Sequence, residues 1–356
     1  MPGKLQGIQA LRGIAVLFVL FSHLFRIEGK YADELILPKI MLAGASGVDI
    51  FFVISGFIMV TVTHKNRQGI LNGINFLYRR ALRIYPTYWI YTTLVLVAYL
   101  INSNLVNSGA PADIVASYAL WPTGNPFLVA VGWTLSHEIY FYLVFLLIFL
   151  LPERFFIYAL AAWTAFVVTA GSLYQGDSPL IGLALSPLTL EFIAGALLAH
   201  IILNYRPSLP LVYCGLLIII SLGTIFIGGQ YYIDSTGDTP NGWSRAFFFG
   251  LPAAVIVFCT DIAEYKGARI PLWLSKIGDA SYSTYLSHVL VLSVLGHIWT
   301  KAPHLGITES YLVLPTMVIA SLIYGWLSYI YIEKPILSFS QSWRLTRLVR
   351  PSASSQ

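Results

Sequence analysis

The sequence predicts an all-α protein, a polytopic transmembrane helical bundle of about ten spans with both termini in the cytoplasm. Three observations lead there. Hydrophobic residues make up 57% of the 356 positions and charged residues only 10%, against about 25% charged in a soluble domain. A surface so poor in charge belongs in lipid, and a mean hydropathy of +0.74 agrees. Apolar runs of roughly 16–20 residues, the length that crosses a bilayer, recur along the chain. Finally, Lys and Arg segregate. With the N-terminus inside, only Arg26, Lys30, Lys39, Arg245 and Lys301 of the 21 fall outside, which is the positive-inside pattern. The net charge of +5 is therefore a topology signal, and nucleic acid is not an expected partner.

The first run, 8–25, contains Arg12 and lacks a small-residue cleavage site, so it reads as a retained helix and not a signal peptide. The second, 48–63, enters from outside with Asp49 near its outer end, and the third is expected over 86–101. The fourth, 133–151, opens on Trp133, and the fifth follows at 156–173. The sixth, 187–203, carries Glu191 near its start. The seventh, 211–227, and eighth, 246–260, hold Cys214 and Cys259 near cytoplasmic ends, where thiols stay reduced. Both read as small core residues, with neither a disulfide nor a metal site expected. Runs at 280–299 and 312–331 complete the set. Trp89, Trp133, Trp243, Trp299 and Tyr331 lie near run ends, as interfacial anchors do. Residues 1–340 are expected to form one membrane domain, and 341–356 a short basic cytoplasmic tail.

Charges at membrane depth are costly, so each is a functional candidate. Arg12 and His23 are eleven residues apart, three helical turns plus about 20°, which places them on one face about 16 Å apart. A snorkelling arginine with an interfacial histidine is the alternative reading. Asp49, His137, Glu138, Glu191 and Arg245 are expected at His23's depth in the outer half. A carboxylate beside an imidazole would fix its tautomer for general-base chemistry; an ion-pair network such as Glu191 with Arg245 is the structural alternative. On the other side, Arg80 and Arg83 are expected one turn apart on a short helix that Pro86 ends. Arginines on one face suit phosphate, although an ordinary positive-inside loop would also explain the charge.

Several segments together resemble the acyltransferase-3 family of integral membrane acyltransferases. Gln9-Ala10-Leu11-Arg12 through His23 is similar to its opening signature, Arg or Lys followed after ten residues by His. Gly47-Val48-Asp49 through Gly56-Phe57 resembles its second-helix motif, Arg80-x-x-Arg83 its arginine pair, and Trp133 through Glu138 its Trp-Ser-Leu-x-x-Glu segment. His137 departs from that pattern. Thr134, Gly250-Leu251-Pro252 and Gly278-Asp279-Ala280-Ser281-Tyr282-Ser283-x-Tyr285-Leu286-x-His288 resemble the exopolysaccharide acetyltransferase (ExoZ-like) branch.

The resemblance implies a bacterial inner-membrane, multi-pass enzyme that moves an acyl group from cytoplasmic acyl-CoA to a hydroxyl of an extracytoplasmic saccharide. Acetyl-CoA is the expected donor, and no cofactor is expected to stay bound. It implies that His23 is essential and that Arg12, Arg80 and Arg83 serve the donor or the reaction. Some family members add a periplasmic esterase-like domain, for which this chain is expected to have no room. On this reading Arg79, Arg80 and Arg83 hold the CoA phosphates and Arg12 flanks the pantetheine arm. His23 acts as base or accepts the acyl group, and Asp49 or Glu138 orients it. Expected partners are acyl-CoA, the saccharide, the lipid bilayer and, as an option, polysaccharide-assembly proteins. A glycan transporter or flippase is the rival, which paired inverted repeats would favour, and a non-catalytic export scaffold is a third.

Overall fold

The computed structural model describes residues 5–32, 34–64, 69–301 and 307–342; Lys65, Arg67 and the tail beyond Ser342 lie outside the described residues. Ten long helices follow in order: α1 (Gln6–Tyr31), α2 (Gly47–Thr63), α3 (Ile70–Ile101), α4 (Gly132–Phe149) and α5 (Phe156–Leu173). Then come α6 (Thr189–Tyr205), α7 (Leu211–Thr236), α8 (Gly242–Tyr265), α9 (Ser281–Trp299) and α10 (Ile307–Ser328). No strand occurs among the described residues.

Nine described helical segments are long and apolar enough to cross a membrane. α9 matches the expected ninth run, 280–299, but falls outside that set, because Ser281, Ser283, Thr284, Ser287 and His288 make its first half polar. All five are buried against neighbouring helices. A helix shielded by protein need not be apolar enough for lipid. Conversely, Leu173, Ile219, Ile227 and Leu312 stand exposed on α5, α7 and α10, the outward apolar surface that lipid covers. The most apolar stretch of Lys39–Thr63 is 67% buried and that of Leu211–Thr236 only 17%, so α2 is central and α7 peripheral.

The third helix corrects an expectation. Pro86 does not end a short helix; it sits inside α3, which runs unbroken for 32 residues. Proline removes one N–H and crowds the preceding turn, a local defect that neighbouring helices tolerate at membrane depth. At about 48 Å, α3 exceeds the roughly 30 Å hydrocarbon thickness, and Arg79, Arg80 and Arg83 lie within it and not in a loop.

Close backbone approach ties α2 to α6. A Cβ on Gly56 would collide with the carbonyl of Phe192, and one on Gly195 with that of Val53. These are the small-residue contacts that let membrane helices touch. At one end of the bundle Glu264, near the end of α8, caps α1, whose own N-cap residue Leu5 supplies no side-chain bond. Its carboxylate accepts from Gln6 N (2.7 Å) and Gly7 N (2.8 Å), satisfying orphan donors where the helix dipole favours an anion. At the opposite end, the hydroxyl of Tyr31 meets His297 Nε2 at 3.3 Å, joining the ends of α1 and α9. Buried Glu28 there folds the following segment back by accepting from Ile36 N and Leu37 N. Cys214 and Cys259 are free and buried side by side in a small cluster with Ile262. Trp299 is buried and not an exposed anchor, whereas Trp89 and Trp243 remain exposed.

Candidate active site

α1 supplies two of the expected groups, and helical periodicity places them as anticipated: both Arg12 and His23 face α9. Arg12 Nε donates to Ser281 Oγ at 3.2 Å, and His23 Nδ1 lies 3.4 Å from His288 Nε2. Between these levels the surroundings differ completely.

Arg12 opens into a cleft shared with Arg80, Arg83 and Glu138, and walled by Ser55, Tyr142, Tyr282 and Tyr285. Glu138 is fixed there. Ser55 Oγ donates to its Oε1 at 2.8 Å, and the hydroxyl of Tyr142, one turn along α4, donates to the same oxygen. Glu333 accepts from Ser283 N (3.2 Å) and Ser283 Oγ (2.6 Å) at the start of α9, within electrostatic reach of Arg12. Arg12, Arg80 and Arg83 thus bring three guanidiniums to one cleft. The Arg80 guanidinium lies over the rings of Phe76 and Tyr142 (5.8 and 5.9 Å), while its buried Nε meets no acceptor among the described residues. An unsatisfied charged donor at membrane depth is costly, so the cleft is built to receive an anion or a carbonyl oxygen.

Arg79 is not brought into this group. It is exposed, and its Nε reaches only Asn75 Oδ1 at 3.4 Å. Arg79 is one helical turn from Arg83 but 100° around the axis from Arg80, and it is not among the residues that line the cleft.

The carboxylates depart further from expectation. Asp49 does not orient His23, because Arg245 holds it: Nε to Oδ1 at 2.9 Å and Nη2 to Oδ2 at 2.8 Å, with Nη2 also on the Ala45 carbonyl at 3.1 Å. This pairing also replaces the anticipated Glu191–Arg245 bond. Both oxygens of Glu191 are buried, and its carboxyl group lies against that of Asp49. Glu138 likewise sits with Arg12 and Arg80 and not with the histidine. The residue departing from the family pattern, His137, bonds the Trp133 carbonyl at 2.9 Å and stacks on Phe52.

The group at His23 is another imidazole. Its ring and that of His288 lie edge to face with centroids 4.9 Å apart. His288 also neighbours Tyr285 (5.8 Å between centroids), whose hydroxyl bonds Thr134 Oγ1 at 2.8 Å. Tyr285 therefore stands between the cleft and the histidine pair. Ser281, Tyr285 and His288 recur at helical spacing on one face of α9; that polar stripe in an apolar run was the available signal for all three.

A family model described as an acyltransferase domain matches residues 5–329. The chain is 28% identical over 314 residues to the exopolysaccharide production protein ExoZ of Rhizobium meliloti (strain 1021), covering 85% of this chain and 92% of that one. It is 26% identical over 354 residues to the provisionally named membrane-bound transacylase BcsY of Komagataeibacter xylinus, covering 93% and 83% respectively. No solved structure matches at a significant level.

Proposed function

The chain belongs to the acyltransferase-3 family, and from that premise we propose that it transfers an acyl group, acetyl, from acyl-CoA to a hydroxyl of a saccharide across the bacterial inner membrane. The names of its relatives, an exopolysaccharide production protein and a transacylase, support a polysaccharide or its lipid-linked precursor as acceptor. The carrying observation is the convergence of Arg12, Arg80 and Arg83 on one intramembrane cleft in which Arg80 Nε has no partner among the described residues. Forked guanidinium donors suit phosphate and polarised carbonyl oxygen.

In this reading the donor enters at the end of the bundle that bears Gln6, taken as cytoplasmic on the distribution of Lys and Arg. Arg80 and Arg83 hold its phosphates, and Arg12 flanks the arm that carries the thioester toward His23. His23 removes the proton of the acceptor hydroxyl, and the hydroxyl oxygen forms a bond to the thioester carbonyl carbon. The C–S bond then breaks, and the CoA thiolate takes the proton back from His23. Alternatively the imidazole accepts the acyl group first and passes it to the hydroxyl. Glu138, tied to Ser55 and Tyr142, sets the orientation of the cleft's arginines. Asp49 serves as Arg245's counter-ion and shapes the far end of α2.

Purified protein in lipid, given radiolabelled acetyl-CoA and crude exopolysaccharide, tests the reading. Label should appear in the saccharide. Movement of unmodified glycan without label transfer would instead identify a transporter.

A further inference from the structure

A second histidine lies against His23. His288 is fully buried on α9. Its Nδ1 lies 2.7 Å from the Tyr285 carbonyl and 3.2 Å from that of Thr284. Carbonyl oxygens only accept, so Nδ1 carries the ring's proton, and in the neutral ring Nε2 is a bare acceptor. That bare nitrogen points at His23 Nδ1, 3.4 Å away. His23 Nδ1 also lies 3.0 Å from the Val19 carbonyl, again a pure acceptor. Both neighbours demand the same thing: a proton on His23 Nδ1, shared between Val19 O and His288 Nε2. A doubly protonated His288 would set N–H against N–H.

We propose that His288 is a positioning residue that, together with the Val19 carbonyl, locks His23 in the Nδ1–H tautomer and leaves His23 Nε2 as the nitrogen that takes the proton or the acyl group. The proposal rests on the reading of His23 given above. It also accounts for the missing carboxylate. In many histidine bases an anion orients the ring. Among the described residues, the two carboxylates expected to orient His23 are committed elsewhere, Asp49 to Arg245 and Glu138 to Ser55 and Tyr142. A neutral imidazole can set the tautomer without placing another charge at membrane depth, where charge is expensive. When His23 takes a proton on Nε2, its Nδ1–H keeps the same two acceptors, so no regrouping of hydrogen bonds is needed.

Full-length protein in lipid nanodiscs, labelled with ¹⁵N-histidine, reads the tautomer directly; His23→Gln identifies the His23 resonances by their loss. The expected pattern is a protonated Nδ1 and a bare Nε2. The kinetic arm uses His288→Phe, which keeps a ring but no acceptor, and His288→Gln, whose Oε1 stands near the place of Nε2. With acetyl-CoA and crude exopolysaccharide, His288→Phe should lower kcat between about 10- and 10⁴-fold, the upper bound being the cost of a mis-set histidine tautomer. KM for acetyl-CoA should not change, and Gln should recover most of the loss. A protonated His23 Nε2 in the wild type, or wild-type kcat in His288→Phe, overturns the proposal. Equal losses in Phe and Gln would reduce His288 to a packing residue, which also overturns it. If Phe fails to fold, the Gln variant and the wild-type spectrum still decide. Full activity of His23→Gln would sink the underlying reading alone, since the tautomer is measured independently of turnover.

Discussion

Arg245 and Asp49 form a two-pronged ion pair, Nε–Oδ1 2.9 Å and Nη2–Oδ2 2.8 Å, that joins the starts of α8 and α2 with the carboxylate wholly buried. A forked pair of this kind is strong because both donors and both acceptors are satisfied at once, and it keeps Asp49 away from His23.

Asp49→Ala or Arg245→Ala should therefore act on folding before chemistry. Removing one partner leaves the other charge buried, a loss of about 3–5 kcal/mol. Thermal unfolding of the purified protein in detergent reads this. The double change Asp49→Leu with Arg245→Met removes both charges and should restore most of the stability and the acyl transfer. A stable but inactive double variant would return Asp49 to the catalytic set.

Arg80→Ala and Arg83→Ala should each raise KM for acetyl-CoA by weakening charge-assisted bonds worth about 1.5–3 kcal/mol. The salt dependence of donor binding should also fall. Arg79→Ala, whose side chain points away, should bind the donor as the wild type does. Donor-binding isotherms for the three variants separate a phosphate cleft from a mere basic stretch; equal behaviour of all three rejects the cleft.

His23→Gln should abolish transfer while leaving expression and donor binding near normal. Gln keeps polarity but has no basic nitrogen near neutral pH. Loss of a catalytic base costs about 10²–10⁴-fold, so turnover above a tenth of wild type would remove His23 from that role.

Topology is open to a direct check. A reporter inserted after His64, just ahead of α3, should read cytoplasmic, and one after Pro111 extracytoplasmic. A reversed result at either site would overturn the orientation assigned to the cleft.

Glu264→Ala should destabilise the protein by about 0.5–2 kcal/mol, the usual loss of a helix cap, because Gln6 N and Gly7 N lose their acceptors. Glu264 is not among the residues that line the cleft, so near-normal kcat is expected in the folded fraction, measurable by denaturation and turnover on the same sample.

The sequence by itself determined what local rules can reach. Apolar run length located the membrane helices, and the 3.6-residue period put Arg12 and His23 on one face, where both indeed meet α9. The same period could have singled out Ser281, Tyr285 and His288. It could not see through Pro86, because whether a proline ends a helix depends on what surrounds it. Only the tertiary structure decided which group meets which. The partners Ser55 and Glu138 are 83 residues apart, Asp49 and Arg245 are 196, and His23 and His288 are 265. Those pairings depend on how helices cross and rotate against one another, as at Gly56 and Gly195. The chemistry of each residue was therefore legible in the chain, whereas its partner was fixed by packing between helices far apart in sequence.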